Sequence, residues 1–263
     1  MMTHRHDSDM LRSLLTVAKD AGQAILEVYN TDFTVERKED KSPLTLADKS
    51  SHDIITGHLK KHYPYPVLSE EGRDIPYEER RGWDQFWLVD PLDGTKEFIK
   101  KHGDFTVNIA LIHRGRPVLG VIFIPATGVF YHAVKGEGSF KIENGETERL
   151  PLRAGRDRLT IVGSRSHVTK ELEDYIKAMR NTYGEIDAIS IGSSLKFCMV
   201  AEGKADVYPR LGPTMEWDTA AGQIIVEEAG GQVVEFETRE PLRYNKQNLL
   251  NPFFLAFRGS RYV

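Results

Sequence analysis

Phe86-Trp87-Leu88-Val89-Asp90-Pro91-Leu92-Asp93-Gly94-Thr95-Lys96-Glu97-Phe98 is the stretch that decides how the rest of the chain is organised. Its apolar run, Phe86 to Val89, has the length and the aromatic and β-branched content of a buried strand, and the pattern predicts that the strand stops at Asp90. Pro91 fixes its own φ and biases Asp90 toward an extended conformation, and Asp93-Gly94 is a strong turn signal. The chain is therefore expected to reverse just after a core strand, with Asp90 and Asp93 brought close together. Two crowded carboxylates repel unless a proton or a cation offsets their charge. Hard oxygen ligands of this kind suit Mg²⁺, which binds through one or two carboxylates, retained waters and substrate phosphate. The plain alternative is a surface turn that happens to hold two aspartates. The apolar lead-in, the intervening proline and the following Thr95 favour the metal site.

Working outward, Pro66-Val67-Leu68 followed by Ser69-Glu70-Glu71-Gly72 repeats the arrangement of an apolar run ending in carboxylates, so two neighbouring strands are expected to end at one point. Upstream, Leu11, Leu14, Leu15, Ala18, Ala21, Ile25 and Tyr29 recur at helical spacing and predict an amphipathic helix from Asp9 to Tyr29. The charged, aperiodic segment from Asp32 to Pro43 reads as a hairpin or surface loop. A second helix is expected from about Thr45 to Tyr63, with Thr45-Leu46-Ala47-Asp48 fitting a capping box; the other reading of Asp48 is that it faces the metal site. From Phe105 to Leu150 the alternation has period two, broken by turn signals at Arg114-Gly115-Arg116-Pro117, Ala126-Thr127-Gly128 and Glu143-Asn144-Gly145, which predicts an antiparallel meander.

Leu150-Pro151-Leu152 and the basic segment after it mark a boundary between an α+β lobe, 1–152, and an α/β lobe, 153–263. The second lobe is expected to carry strands at Leu159–Val162, Ala188–Ile191, Ala205–Tyr208, Val233–Phe236 and Phe253–Phe257. Helices are expected at Thr169–Asn181, at Ser194–Glu202, and from Trp217-Asp218-Thr219 to the Gly230-Gly231 stop. Asp218 reads locally as an N-cap. Gly192-Ser193-Ser194 stands between a strand and a helix, where free amides favour an anion, and Lys196 follows in the first turn.

Composition narrows the function classes. Lysine plus arginine number 35 against 39 acidic residues in 263, and the net charge of −4 gives no electrostatic case for a nucleic-acid polymer. Any affinity for phosphate has to be local. One cysteine, Cys198, excludes an internal disulfide framework and is expected to pack inside a helix. No apolar run reaches membrane-span length, and the polar opening Met1-Met2-Thr3-His4-Arg5-His6-Asp7 lacks a signal-peptide core, so the expectation is a soluble intracellular protein.

Ser69-Glu70-Glu71, Asp90-Pro91-Leu92-Asp93-Gly94-Thr95 and Trp217-Asp218-Thr219-Ala220-Ala221-Gly222, in this order, resemble the lithium-sensitive, Mg²⁺-dependent phosphatases typified by inositol monophosphatase. The likeness covers nearly the whole chain. Lys41-Ser42-Pro43-Leu44-Thr45-Leu46-Ala47-Asp48, Gly192-Ser193-Ser194-Leu195-Lys196-Phe197-Cys198 and Tyr208-Pro209-Arg210 look more narrowly like the bacterial 3′(2′),5′-bisphosphate nucleotidase branch, which removes the 3′-phosphate of adenosine 3′,5′-bisphosphate. The resemblance implies a layered αβαβα sugar-phosphatase fold and two or three Mg²⁺ per site. Glu70, Asp90 and the Leu92 carbonyl would hold one ion and Asp90, Asp93 and Asp218 a second, with Glu71 assisting from the edge. Asp48, Thr95 and Glu70 would be catalytic, Asp48 and Thr95 orienting and deprotonating the attacking water. Paired metals ~3.5–4 Å apart suit an in-line displacement of this kind.

The Gly94 and Thr95 amides would bind the phosphoryl oxygens, alongside Glu70, Leu92, Asp93 and Asp218. The resemblance places nucleotide contacts at Ser164, His167, Gly192, Ser193, Lys196 and Arg210. The expected partner is a small nucleotide bisphosphate, in the bacterial cytoplasm or peripheral on the inner membrane, and a homodimer is compatible with the family. Inositol monophosphate or fructose 1,6-bisphosphate phosphatases of the same fold are the nearest alternatives, and a catalytically silent binding protein is the alternative from another class.

Overall fold

The computed structural model describes residues 4–31, 35–37, 43–152, 158–165 and 169–259. Helix α1 (His4–Tyr29) starts at His4, earlier than the expected Asp9, and its apolar stripe Leu14, Ala18, Ala21 and Ile25 is buried. After it, β1 (Val35–Arg37) pairs antiparallel with β2 (Pro43–Thr45), and the rest of the charged segment lies outside the described residues. Helix α2 (Leu46–His62) buries Ala47, Ile55 and Leu59 in the same cluster as α1. The capping box expected with Thr45 falls outside the described side chains.

Seven strands form the first sheet in chain order: β3 (Val67–Ser69), β4 (Gln85–Asp93), β5 (Thr106–His113), β6 (Arg116–Ile124), β7 (Val129–Val134), β8 (Gly138–Glu143) and β9 (Glu146–Arg149). The short helix α3 (Tyr77–Arg80) lies between β3 and β4, and α4 (Thr95–Ile99) follows β4. All neighbours pair antiparallel except β3 and β4, which run parallel. Left-handed backbone at Arg114-Gly115 (φ 51 and 70) and Asn144-Gly145 (φ 53 and 82) fits the tight turns of two hairpins.

The second sheet has the order β11-β10-β12-β14-β13, built from β10 (Thr160–Ser164), β11 (Asp187–Ile191), β12 (Val207–Arg210), β13 (Gly231–Glu235) and β14 (Phe254–Arg258). Helix α5 (Lys170–Tyr183) connects β10 to β11 and is capped by the Thr169 side chain, which accepts from the Leu172 amide. Helix α6 (Leu195–Glu202) follows β11, and a single 3₁₀ turn, Glu216–Asp218, precedes α7 (Ala220–Glu228).

The alternation of the opening stretch explains the layering. In β4, Trp87 and Val89 enter the cluster shared with α1 and α2, while Phe86 and Leu88 enter the cluster that holds α6, α7 and strands of both sheets. A strand buried on both faces has to be apolar at every position, which this run is. Each fully buried side chain of this size contributes about 1.5–3 kcal/mol. A third cluster, Leu159, Ile161, Val207, Leu255 and Phe257 with Tyr175, Ile176 and Met179, lies between the second sheet and α5. The layers are thus α1/α2, first sheet, α6/α7, second sheet, α5, the αβαβα arrangement expected. Among the described residues no helix is long and apolar enough to cross a membrane.

Strand β4 does not stop at Asp90. It continues through Pro91 to Asp93, with an irregularity between Asp90, opposite Asn108, and Asp93, opposite Thr106. Proline is tolerated because a bulge leaves the missing N–H without a ladder partner to disappoint, and the Pro91 carbonyl accepts from Ser51 Oγ at 2.7 Å. The reversal comes one residue later, at Gly94 (φ 94).

Candidate active site

The parallel pairing of β3 with β4 puts Ser69 beside Val89, so Glu70 and Asp90 leave their strands at the same level, and the Glu70 amide donates to the Val89 carbonyl at 3.1 Å. Asp90 is buried, 1% exposed, and its Oδ1 accepts from the Leu92 amide at 3.1 Å. Across the cleft, Asp218 is brought in by the 3₁₀ turn before α7. Its carboxylate does not cap that helix: Oδ2 accepts from the Met215 amide at 2.8 Å, closing the turn on itself. That leaves its other oxygen facing the cleft. Oxygens of Glu70, Asp90 and Asp218 all lie within 4.8 Å of one another. Asp93 is held by α6 and β5, with Ser194 Oγ donating to Oδ2 at 2.6 Å and Asn108 Nδ2 at 3.4 Å.

Loss of water is the first reason the Asp90 carboxyl is raised well above the ordinary carboxylate range; Glu70, Asp93, Asp218 and Asp48 add to it. Asp218 keeps an edge open to the cleft, yet the same loss of water, then Asp93 and Glu70, push it up as well. The charged form of each is disfavoured there unless a proton or a cation offsets it. The donor set is all oxygen, anionic and convergent, and it fits a hard divalent ion.

Gly94 leads into α4 at φ 94, and a Cβ there would meet the Asp104 carbonyl at 2.9 Å and Ser193 Cβ at 3.3 Å. Only glycine fits this corner. Thr95 Oγ1 lies 3.4 Å from the Leu92 carbonyl, to which it donates.

The facing wall is cationic. Lys196 is 5% exposed, donates to the Ser193 carbonyl, and sits with Nζ 5.4 Å from the centre of the Tyr208 ring. Burial pulls its ammonium down to about 8, Asp93 acting against that shift and Arg210 with it. Arg210 donates to the Pro213 carbonyl at 2.7 Å. The two walls are joined at one end by Asp104, whose Oδ2 pairs with Arg165 Nη1 at 2.7 Å and accepts from the Gly192 amide at 3.4 Å.

These walls enclose a cleft of about 270 Å³, into which the fold brings Glu70, Asp90, Leu92, Asp93, Gly94, Thr95, Ser164, Ser193, Lys196, Arg210 and Asp218. Three other expected site residues do not line it. Asp48 is buried, 1% exposed, and close enough to Asp90 to raise it; Glu71 is close enough to act on His52. Gly192 is turned toward Asp104, and a Cβ there would strike Glu97 Cγ at 2.5 Å. His167 lies outside the described residues. Sequence reasoning missed Asn108 and Ser194 as the clamp on Asp93, and Tyr208, Pro213 and Thr214 as wall residues. A lone asparagine between Val107 and Ile109 in an apolar run was a signal for the first of these.

A model of the inositol monophosphatase family matches residues 6–253. The chain belongs to the inositol monophosphatase family. Within it, the chain is 47% identical to the 3′(2′),5′-bisphosphate nucleotidase CysQ of Salmonella typhimurium over 93% of this chain and 98% of that one. It is 46% identical to the enzyme of the same name from Escherichia coli K12, with the same coverage. Among solved structures, CysQ of Bacteroides thetaiotaomicron superposes with a TM-score of 0.86 at 46% identity, covering 94% of this chain and 97% of that one. An inositol monophosphatase of Thermotoga maritima superposes at 0.78 with 26% identity, covering 95% and 92%. Enzymes of the inositol monophosphatase family are metal-dependent and act on small phosphate esters, which agrees with the acidic donor set and the size of the cleft.

Proposed function

We propose that this chain is a 3′(2′),5′-bisphosphate nucleotidase that hydrolyses the 3′-phosphate of adenosine 3′,5′-bisphosphate to AMP and phosphate, with Mg²⁺. One observation carries the reading: the Glu70, Asp90, Asp93 and Asp218 carboxylates face the buried Lys196 and the half-buried Arg210 across a single cleft of about 270 Å³. A substrate with one phosphate to cleave and another to keep needs both walls. The name shared by relatives 46–47% identical supports the same activity.

When bound, two or three Mg²⁺ supply positive charge for the phosphoryl oxygens and acidity for the attacking water. Glu70, Asp90 and the Leu92 carbonyl would hold one ion and Asp90, Asp93 and Asp218 a second, with Glu71 at the edge. Thr95 orients the attacking water through Oγ1, and Asp48, close to Asp90 but outside the cleft lining, would accept its proton once that water stands beside Asp90. The Gly94 and Thr95 amides hold the phosphoryl oxygens as charge builds on them. The water oxygen bonds to phosphorus, the bond to the 3′ oxygen breaks, and that oxygen takes a proton from solvent water to become the 3′ hydroxyl. Ser164, Ser193, Lys196 and Arg210 hold the 5′-phosphate. In the proposed division into lobes, 1–152 carries Glu70, Asp90 and Asp93 and 153–263 carries Asp218, Lys196 and Arg210. The reading places the substrate in the cytoplasm, with the protein there or peripheral on the inner membrane, and it is compatible with a homodimer.

Phosphate release from a panel of adenosine bisphosphates, inositol 1-phosphate and fructose 1,6-bisphosphate, with Mg²⁺ present, tests the assignment. The expected result is the highest kcat/KM on adenosine 3′,5′-bisphosphate; a higher value on either sugar substrate would overturn it.

A further inference from the structure

Helix α2 presents Asp48, Ser51 and His52 at positions i, i+3 and i+4, which share one helix face. Asp48 lies near Asp90. The neighbouring two side chains reach the two segments that carry the first-sheet carboxylates. Ser51 Oγ donates to the Pro91 carbonyl at 2.7 Å, inside the irregular part of β4 between Asp90 and Leu92. His52 Nδ1 shares a 2.9 Å hydrogen bond with Ser69 Oγ, on the last residue of β3 before Glu70. Both bonds are shielded, since Ser51 and Ser69 are 0% and 6% exposed.

Two backbone bonds also hold the turn that carries Glu70. Its amide is tied to β4 through the Val89 carbonyl, and the Gly72 amide closes a turn on the Ser69 carbonyl at 3.0 Å. Neither bond sets how far the turn stands from α2. The His52–Ser69 bond does, and Ser51 sets the same distance for the Pro91 peptide. Without them, each segment keeps its sheet pairing but loses the side-chain hydrogen bond that ties it to α2.

We propose that His52, through Ser69, and Ser51, through the Pro91 carbonyl, are positioning residues that fix the spacing of Glu70 and Asp90 for the divalent ion. The inference rests on the metal-site reading given above. Partners one step removed from metal ligands commonly change affinity by about 10–100-fold, and these act through the backbone, so the low end applies.

Titration calorimetry of the full chain with Mg²⁺ alone, without substrate, reads the effect directly. His52→Ala and Ser69→Ala are each expected to weaken Mg²⁺ binding about tenfold, and the double variant no more than either alone, because both remove one bond. His52→Asn, which places an amide group near the position of Nδ1, is expected to restore most of the affinity. If His52→Ala fails to fold, as judged by circular dichroism, Ser69→Ala removes the same bond from the other end and decides the question. Unchanged Mg²⁺ affinity in a folded Ser69→Ala, or additive losses in the double variant, would overturn the inference. Asp93→Asn separates the two readings: if it too binds Mg²⁺ as the parent does, the metal site itself is wrongly assigned, whereas its loss beside an unaffected Ser69→Ala rejects only the positioning role.

Discussion

The two walls of the cleft carry opposite charge, and burial pushes both toward neutrality, but their neighbours respond differently. On the acidic wall, each group near Asp90 has the same sign and adds to the effect of lost water. On the basic wall, Asp93, Glu97 and Asp218 oppose the effect of burial on Lys196 and leave it near about 8. The acidic wall therefore requires a cation from outside the chain, whereas the basic wall is partly balanced by the chain itself. Chemistry belongs to the wall that is incomplete alone, and discrimination to the one that is poised.

The strongest way to break this division is Asp93→Asn. The amide keeps the hydrogen-bonding shape seen by Ser194 and Asn108 but removes the charge that faces a cation. Turnover at saturating Mg²⁺ is expected to fall about 10³-fold or more, in line with several kcal/mol of transition-state charge stabilisation, on every substrate alike. Steady-state phosphate release checks it; near-parental rates would put Asp93 outside the metal site.

A smaller and more selective loss is expected from Lys196→Ala. A charge-assisted contact to a retained phosphate is worth about 1.5–3 kcal/mol, or roughly ten- to a hundredfold in kcat/KM. That loss should appear on adenosine 3′,5′-bisphosphate and hardly on inositol 1-phosphate. In the parent, Lys196 is charged below about 8 and neutral above it, so the ratio of the two kcat/KM values should decline as pH rises through that value. In Lys196→Ala the ratio should be low and flat. Equal losses on both substrates would return Lys196 to the shared phosphoryl site.

The smallest effect sharpens the acidic side. Asp90 and Asp218 have folded pKa values raised above their ordinary ones, so their contribution to stability is full at low pH and lost as pH rises through the folded values. Metal removes that penalty. Mg²⁺ should therefore raise the Tm of the metal-free protein more at about pH 8 than at about pH 5, by a few degrees for a chain of this size. Calorimetric scans at the two pH values read it directly, and an equal or reversed shift would mean that the carboxylates are not repelling one another.

How much of this was legible in the sequence follows from how local each feature is. The layered fold was readable because apolar periodicity is local, and the convergence of Glu70 with Asp90 was readable because both motifs end an apolar run. Asp48 stayed ambiguous between cap and site, since four residues of sequence satisfy either. The Asp218 cap reading failed because the turn before α7 closes on the Met215 amide, a choice made by tertiary packing. Nothing within reach of Asp104 in sequence announces Arg165 or the Gly192 amide. The expected stop at Asp90 was the natural reading of Pro91, and it missed that an irregular strand has a place for a proline.

That irregularity has a consequence in plain parity. In a regular strand, residues three apart point to opposite faces. Asp90 and Asp93 are three apart, yet their partners Asn108 and Thr106 are only two apart on β5, so the extra residue cancels the odd step and returns both carboxylates to one face. The pair is encoded by a length as much as by two side chains. Substituting Leu92 leaves the count intact, whereas deleting it would leave the aspartates two apart on one face of a regular strand, with the bulge and its carbonyl gone.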